Sequence, residues 1–272
     1  MTGTPQLAKF GPVARKVFEA LKGEDYVVEK HTADALRMKS GVPLSQMKVD
    51  VLITVGGDGT ILRTLQACDL PVMGVNAGVL GFLTEIQSGD VKQAVKRLKS
   101  GKYHMDERLK LKTTLDGRRL EDATNETVIH TSHIAKMRDF AISIDGTRAM
   151  EVRADGIIVA TPTGSTSYAM SVGSSIIDPR VEAFVIAPIA PFRLAARPLV
   201  VAAKSTIAVT MREPKECAMV IDGQCEFQIR GDERIVFTAS EKKARFVSFK
   251  DDFYKNLEEK LIASAPFAAH RH

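Results

Sequence analysis

The chain has 272 residues, 44% of them hydrophobic, which is enough for one large domain or two ordinary ones. No apolar run is long enough to cross a bilayer, and the N-terminus lacks the apolar core of a signal peptide. We therefore expect a cytoplasmic protein with no membrane partner. The three cysteines lack Cys-x-x-Cys spacing, which disfavours a disulfide framework or a structural zinc site. The net charge of +5 is scattered and aromatic residues make up only 6%, so we expect no nucleic-acid partner, although a small polyanionic ligand would suit the mild positive charge.

The first hundred residues alternate between predicted helices and strands. Apolar residues at helical spacing predict helices over residues 12–21, 60–67 and 90–99, and short apolar runs predict buried strands over residues 49–55 and 71–75. This alternation is typical of an α/β domain with a parallel sheet covered by helices.

The start of the chain departs from this pattern. An α/β domain usually opens with an apolar strand, and none is recognisable before Pro12. Either the first strand is missing from this chain, or the sheet begins at residues 26–28, Tyr-Val-Val.

Beyond about residue 102 the apolar residues alternate with polar ones, as in antiparallel strands with one buried face. Asp-Gly pairs at residues 116–117, 145–146 and 222–223 lie between such runs and predict hairpin turns.

We therefore predict two domains of different class. Residues 1–101 form the α/β domain, and residues 102–251 form an all-β domain, an antiparallel β-sandwich. Helical spacing returns near the end, and we expect a C-terminal helix within residues 252–272 to pack back on the first domain.

The turn Gly56-Gly57-Asp58-Gly59 links a predicted strand to a predicted helix. Glycines allow a positive φ and a close backbone approach, and the N–H groups at a helix start favour phosphate oxygens, so we assign donor-phosphate binding to Gly56, Gly57 and Gly59. Asp58 can accept a proton from an attacking hydroxyl. In the simpler alternative, Asp58 only caps the helix.

A second motif runs from Asp155 to Tyr168 and joins an apolar strand to a loop rich in Ser, Thr and Gly. Such hydroxyls and backbone amides can bind ribose, phosphate or base edges, and the alternative is a solvent-exposed loop. The pair Asn125-Glu126 and the Asp222-Gly223-Gln224 turn carry little information by themselves.

In combination, these motifs resemble the NAD kinase family. The matching segments occur in the family's order at residues 56–60, 76–83, 125–126, 155–168, 188–191, 197–199 and 222–224. The resemblance implies phosphoryl transfer from ATP or polyphosphate, with Mg²⁺ or Mn²⁺, to the 2′-hydroxyl of the adenosine ribose of NAD. It also implies that NAD lies between the two domains of a homodimer or homotetramer and can contact a neighbouring subunit.

The resemblance also implies roles for individual residues. Asp58 matches the family's catalytic base, and no side chain is assigned as a metal ligand. The positions that match the family's NAD-binding residues are Asp58, Gly59, Arg63, Phe82, Asn125, Glu126, Lys136, Arg153, Asp155, Thr166, Ser167, Tyr168, Ala169, Met170, Ser171, Ala190 and Gln224.

Two departures from the family pattern bear on these roles. The family usually begins with a strand that carries a small basic motif, which is not recognisable here and concerns the binding site of the phosphoryl donor. In addition, Ser167 stands where the family often has Ala. Two alternative functions are a lipid or sugar kinase that shares Gly-Gly-Asp-Gly-Thr and a non-catalytic NAD-binding regulator.

Overall fold

The computed structural model describes residues 1–4, 9–78, 81–134, 136–250 and 253–261. Its helices are α1 (Phe10–Ala20), α2 (Lys30–Ala35), α3 (Asp58–Ala67), α4 (Val91–Lys99), α5 (Tyr168–Ser171) and α6 (Phe253–Leu261), with 3-10 turns at Leu44–Gln46 and Thr163–Thr166. Its strands are β1 (Thr2–Gly3), β2 (Leu52–Gly56), β3 (Val72–Asn76), β4 (His104–Leu115), β5 (Arg118–Arg119), β6 (Glu126–Thr131), β7 (Arg138–Ile144), β8 (Thr147–Ala154), β9 (Gly156–Ala160), β10 (Ala183–Ile189), β11 (Leu199–Ala202), β12 (Ile207–Met211), β13 (Cys217–Ile221), β14 (Cys225–Ile229) and β15 (Ile235–Ser248).

The N-terminal half is built on three parallel strands, β1, β2 and β3. All five residues of β2 are buried, as expected for an apolar strand covered on both faces. Helices α1 and α4 pack against each other, and Val13, Val17 and Val95 share one apolar core with Val55 of β2. The predicted α/β rhythm follows from these apolar faces.

A strand does precede Pro12, so the expectation that none does is wrong. β1 pairs in parallel with Thr54 and Val55, and it is too short and too polar to be recognised from hydrophobicity. The sheet does not begin at residues 26–28, where the described chain forms no strand. Instead, the Met1 ammonium donates a hydrogen bond to the Val27 carbonyl (2.6 Å).

Strand β15 joins the two halves of the molecule. It runs antiparallel to β4 from Ile235↔Leu115 to Ser248↔His104, antiparallel to β12, and parallel to β3 at Phe246↔Val72. A single sheet therefore has the order β1-β2-β3-β15-β12-β7-β8. Strand β4 also pairs with β15, and the short β5 pairs with β4.

The second sheet is antiparallel throughout, in the order β11-β10-β9-β6-β13-β14. Its inner face packs on the antiparallel part of the first sheet. The shared core includes Phe140 and Phe237 from the first sheet and Ile129, Ile157 and Phe184 from the second. The predicted combination of an α/β half and an antiparallel β-sandwich is confirmed.

The three predicted Asp-Gly turns form as expected. Asp116, Asp145 and Asp222 each have a positive φ (47°, 51° and 50°), and so does the glycine that follows each of them. Two consecutive left-handed residues are what a type I′ turn requires. The first two turns are two-residue hairpin loops, whereas the third loop has three residues, since Ile221 pairs with Cys225.

The division of the chain at residues 101 and 102 stays a prediction. Ala244 and Phe246 of β15 pack with Ile61 and Leu65 of α3, so the core of the first half includes residues from near the C-terminus. None of the described helices is long and apolar enough to cross a membrane.

Candidate active site

The Asp58 carboxylate is held at the start of α3 by the backbone of a neighbouring loop. Its Oδ2 accepts a hydrogen bond from Phe82 N–H (2.6 Å), and its Oδ1 accepts from Leu83 N–H (3.0 Å) and Thr84 N–H (3.2 Å). Gly57 is the N-cap residue, and within the described chain no side chain caps this helix. The alternative in which Asp58 only caps the helix is therefore wrong. A carboxylate has about four acceptor positions, so three N–H bonds leave capacity for a substrate hydroxyl.

The loop that holds Asp58 is itself fixed by short polar contacts. Asn76 donates to the Thr84 hydroxyl (3.1 Å) and accepts from Gly78 N–H (2.8 Å). Gly81 N–H also donates to the Thr84 hydroxyl (3.2 Å). A Cβ on Gly81 would overlap all three atoms of the Asp58 carboxylate group, so only glycine lets the loop approach this closely.

The glycines of residues 56–59 have different roles. A Cβ on Gly56 would overlap the Thr60 side chain, whereas on Gly57 or Gly59 it would meet no described atom within 4 Å. None of the three has a positive φ, so the expected left-handed conformation is wrong. The protein's own packing does not require glycine at residues 57 and 59. A ligand that approaches the backbone at the start of α3 would require it, since a phosphate binds to free N–H groups there.

Asn125 and Glu126 lie at the start of β6 beneath the Asp222 hairpin. The Asp222 carboxylate accepts hydrogen bonds from the N–H groups of Thr124 (2.8 Å), Asn125 (2.7 Å) and Glu126 (3.1 Å). Asn125 Oδ1 and Glu126 Oε2 are buried and have no hydrogen-bond partner among the described residues. Buried polar atoms without a partner are uncommon in native proteins, so these two atoms mark a position where a ligand that displaces the surrounding side chains would find hydrogen-bonding groups.

Glu126 is electrostatically unusual. Burial, with a smaller effect from the nearby Asp222 charge, raises the pKa of Glu126 to about 8 from its ordinary 4.5. Hydrogen bonds from Ser167 and from the Tyr168 backbone act in the opposite direction. At neutral pH, Glu126 is therefore largely a neutral acid that can donate as well as accept a hydrogen bond.

The hydroxyl-rich loop is held mainly by its own side chains. Thr161 donates to the Thr124 carbonyl (2.6 Å), Ser165 to the Pro162 carbonyl (2.6 Å), and Thr166 to the Thr163 carbonyl (3.1 Å). These three bonds fix the shape of the loop, and Thr166 also lines a cavity.

The last residues of this loop meet the Asn125–Glu126 pair. Ser167 donates to Glu126 Oε1 (3.2 Å). The side chain of Ala169 is buried in the apolar core, so only its backbone is available to a ligand. Tyr168, Met170 and Ser171 are half-buried or exposed at the rim.

A cavity of about 290 Å³ is lined by residues from both halves of the molecule. Phe82 and Leu83, next to the Asp58 carboxylate, line one wall, and Thr163 and Thr166 of the hydroxyl-rich loop line another. Helix α3 also reaches the hairpin, where Gln66 Nε2 donates to the Ile221 carbonyl (3.4 Å). Of the predicted residues, Phe82 and Thr166 line this cavity. Asp58 is hydrogen-bonded to the N–H of Phe82, and Glu126 is hydrogen-bonded to the hydroxyl of Ser167, the residue after Thr166.

Another group of predicted residues lies apart from this cleft. Lys136 and Arg153 line a separate cleft beside the exposed Phe192, and the Arg153 carbonyl accepts from Phe192 N–H (2.8 Å). Asp155 N–H donates to the Ile189 carbonyl (3.0 Å), next to the exposed Ala190, which has a φ of 44°.

Two further predicted residues lie at the edges of the site. Arg63 donates to the Gly3 carbonyl (3.1 Å), so its guanidinium ties α3 to β1. Gln224 is an exposed residue of the Asp222 hairpin, and its N–H donates to the Ile221 carbonyl (2.9 Å).

The single carboxylate of Asp58 suits a metal ion that arrives with the substrate phosphates. The described residues contain no group of three or more His, Cys, Asp or Glu side chains placed to hold a metal. Magnesium keeps several waters and is commonly held by one or two carboxylates and by substrate phosphates. The carboxylate of Asp58, beside a helix N-terminus that can bind phosphate, fits this arrangement.

The sequence did not point to three residues of this site. Asp222 fixes the backbone that carries Asn125 and Glu126, yet it was read as a turn residue. Gly81 lies within the matched segment of residues 76–83, but its contact with Asp58 depends on the folded chain. Lys260 of α6 lies over the Phe82 ring, with 4.1 Å between its Nζ and the ring centroid.

Comparison with known proteins identifies relatives over almost the whole chain. Two family models match: the ATP-NAD kinase N-terminal domain over residues 13–103 and the ATP-NAD kinase C-terminal domain over residues 124–249. The chain is 40% identical over 251 residues to the NAD kinase of Thermoplasma acidophilum, with 92% of each chain covered. It is 46% identical over 226 residues to the NAD kinase of Methanothermobacter thermautotrophicus, with 82% of this chain and 80% of the relative covered.

Solved structures show the same architecture. An NAD kinase from Archaeoglobus fulgidus, in complex with ATP, superimposes with a TM-score of 0.75 at 29% identity, over 94% of this chain and 95% of that one. Yeast NADH kinase, in complex with NADH, superimposes with a TM-score of 0.87 over 99% of this chain and 87% of that one. At 22% identity, this second likeness supports the fold alone.

An oriented carboxylate at a glycine-rich helix start suits phosphoryl transfer to a hydroxyl. The two family models and the named relatives agree with this chemistry, so the protein is a kinase. The matched models and relatives place it more closely: the chain belongs to the NAD kinase family. The family predicted from the sequence motifs is confirmed.

Proposed function

We propose that this kinase transfers a phosphoryl group from ATP or polyphosphate to the 2′-hydroxyl of the adenosine ribose of NAD, which gives NADP. The observation that carries this proposal is the Asp58 carboxylate. Three N–H groups orient it at the start of α3, next to the Phe82 wall of the interdomain cavity. Such an oriented carboxylate suits a base that receives the proton of an attacking hydroxyl.

The reaction is an in-line displacement in which each residue has a defined task. The ribose 2′-oxygen forms a bond to the terminal phosphorus, the bond from that phosphorus to the bridging oxygen breaks, and the 2′-hydroxyl proton passes to Asp58. The backbone at Gly57 and Gly59 receives the donor phosphates at the start of α3. A divalent ion, Mg²⁺ or Mn²⁺, carried by the donor phosphates, supplies charge neutralisation.

The dinucleotide is held from the other side of the cleft. Asn125 Oδ1 and Glu126 Oε2 are buried and have no hydrogen-bond partner among the described residues. When side chains around them move to admit the dinucleotide, they suit the hydroxyl and amino groups of an adenosine. The loop from Thr166 to Ser171 forms the neighbouring wall. Gln224 and Arg63 lie at the edges of the site, and we assign them contacts with the parts of NAD that lie away from the reacting hydroxyl.

Replacement of Asp58 by Asn tests the base. General-base catalysis contributes about 10²–10⁴-fold, so we expect Asp58→Asn to lower kcat at least about a hundredfold in an assay of NADP formed from NAD, ATP and Mg²⁺. Both Asp58 oxygens accept N–H bonds, so the new amide group must face a donor; a melting curve and an NAD-binding measurement therefore accompany the assay. Asp50→Asn, at an exposed loop residue, is the control.

Three outcomes would count against the proposal. A turnover for Asp58→Asn within a few-fold of the parent would remove Asp58 as the base. Phosphorylation of a lipid or sugar in place of NAD would indicate another kinase. Tight NAD binding without turnover by the parent enzyme, with both ATP and polyphosphate, would indicate a regulator.

We also propose that the protein is a homodimer or homotetramer, in which the cleft of Lys136 and Arg153 faces a neighbouring subunit and contributes to its NAD site with Asp155 and Ala190. Exposed apolar side chains near this cleft support the proposal, since Phe192 is 70% and Leu194 82% exposed. Exposed apolar patches commonly mark protein–protein interfaces.

The remaining assignments also stand as proposals. We place the division of the chain between residues 101 and 102, with a C-terminal helix that belongs to the first domain. We expect the protein to act in the cytoplasm, since its three cysteines are unpaired thiols.

A further inference from the structure

Helix α6 lies across the opening between the two halves of the molecule. Near its start, the Tyr254 hydroxyl donates to Asp178 Oδ2 (2.8 Å), next to the hydroxyl-rich loop. Phe253 and Asn256 line the interdomain cavity. Near its end, Lys260 Nζ donates a hydrogen bond to the Gly81 carbonyl. The helix therefore contacts both walls of the cleft and brings one ammonium group to the wall that holds Asp58.

The side chain of Lys260 is half-buried and contacts other side chains, unlike a typical surface lysine. Its ammonium lies 4.1 Å from the centroid of the Phe82 ring, a cation–π contact. Burial lowers the pKa of Lys260, while the negative charge of Asp58 is the main influence that favours its charged form. Half-burial of a strongly hydrated ammonium has a free-energy cost, and a contact with an anionic substrate would offset that cost.

Phosphoryl transfer creates a need for such a cation. Charge is spread over the equatorial oxygens of the group in transfer, and kinases commonly place a Lys or Arg beside it. The turn of residues 56–59 contains no basic residue, so a protein cation must come from elsewhere. Arg63 lies on the same helix as Asp58, but its guanidinium contacts Gly3 of β1. The Lys260 ammonium instead contacts Gly81, which lies against the Asp58 carboxylate.

We propose that Lys260 is a further catalytic residue of this kinase, and that its ammonium contacts the phosphoryl group in transfer beside Asp58. This inference rests on the proposed function, because it assigns a role within that same reaction. A lysine suits the task because its compact charge sits on a flexible four-carbon stem. The stem lets the ammonium exchange the Gly81 carbonyl for a phosphoryl oxygen when the donor binds.

The test compares charge removal at Lys260 with the same change elsewhere on α6. Lys260→Met keeps the apolar stem and removes the charge; Lys255→Met, at an exposed residue of the same helix, is the matched control. Loss of one transition-state donor typically lowers kcat about 10²–10³-fold, so we expect about a hundredfold fall for Lys260→Met. The Kd for NAD and the melting temperature should stay near those of the parent, and Lys255→Met should behave as the parent.

Two further measurements separate a catalytic role from a structural one. Lys260→Arg keeps a positive charge and should retain more activity than Lys260→Met. Ethylamine added to Lys260→Ala should restore part of kcat, because a free ammonium can occupy the vacated position. An ammonium that only pins α6 to the Gly81 carbonyl would not give a concentration-dependent rescue of turnover.

The failures of this inference and of the proposed function are distinguishable. If the parent enzyme forms no NADP, the proposed function fails. If the parent forms NADP and Lys260→Met has an unchanged kcat, only the role of Lys260 is overturned. A fall in NAD affinity at constant kcat would also overturn it, since Lys260 would then act on the dinucleotide side of Phe82. A low melting temperature for Lys260→Met, with no rescue of Lys260→Ala, would reduce Lys260 to a structural contact.

Discussion

Replacement of Gly81 by Ala tests the geometry of the site without a change to any reacting group. The added Cβ would occupy the space of the Asp58 carboxylate, so that carboxylate must move. Its three hydrogen bonds, of 2.6, 3.0 and 3.2 Å, cannot all survive the movement. Bonds to a charged group contribute about 1.5–3 kcal/mol each. Loss of one or two of them should therefore lower the free energy of unfolding by about 1.5–6 kcal/mol.

Gly81→Ala should lower turnover as well as stability. A shift of about 1 Å in a catalytic group can cost about a hundredfold in rate, so we expect kcat to fall by about that factor. For a chain of this size, the expected loss of stability corresponds to a melting temperature about 3–10 °C lower.

The control for Gly81→Ala is Gly78→Ala, in the same loop, where an added Cβ meets no described atom within 4 Å. Both variants are measured by differential scanning calorimetry and by NADP formation at saturating substrates. Equal behaviour of the two variants, or normal turnover by Gly81→Ala, would refute the inference that Gly81 sets the position of Asp58.

Three other predictions concern different parts of the molecule. The pKa of Glu126 is about 8 in the folded protein, compared with the ordinary value of 4.5 expected in the unfolded chain. Between these pH values the folded state holds the proton more tightly, so the stability of the parent falls as the pH rises. The melting temperature of Glu126→Gln relative to the parent should therefore increase from pH 5 to pH 8; a pH-independent difference would contradict this. Gly59→Ala replaces a helical glycine in open space, so it should raise stability by up to about 1 kcal/mol. The same variant should raise the KM for ATP by about tenfold if the donor phosphate approaches that backbone, and an unchanged KM would argue against it. Leu194→Asp should leave the fold intact, since Leu194 is 82% exposed, and should shift size-exclusion elution to the monomer if this patch is the interface.

The elements that could be predicted from sequence are those fixed by neighbouring residues. The β2 strand, its glycine turn and the following helix were predictable because apolar periodicity and turn chemistry are local signals. The Asp-Gly hairpins were predictable for the same reason, because two adjacent residues determine the left-handed turn.

The parts that could not be predicted depend on contacts between distant residues. Asp58 is oriented by backbone groups 24 to 26 residues away, and backbone N–H groups leave no mark in the sequence. The buried hydroxyls of Thr161 and Ser165 have the same composition as a ligand-binding loop, and only their acceptors show that they shape the backbone. Strand β1 was missed because two residues are too few to show a period.

Strand β15 has a consequence for how the protein is made. Its residue Phe246 completes the core beside Val72 and Ile61, which are synthesised much earlier. Until β15 has left the ribosome, β3 keeps an unpaired edge and the α3 face of the sheet stays open to water. The N-terminal half therefore cannot finish folding as an independent unit during synthesis, and a truncated N-terminal fragment should be prone to aggregation.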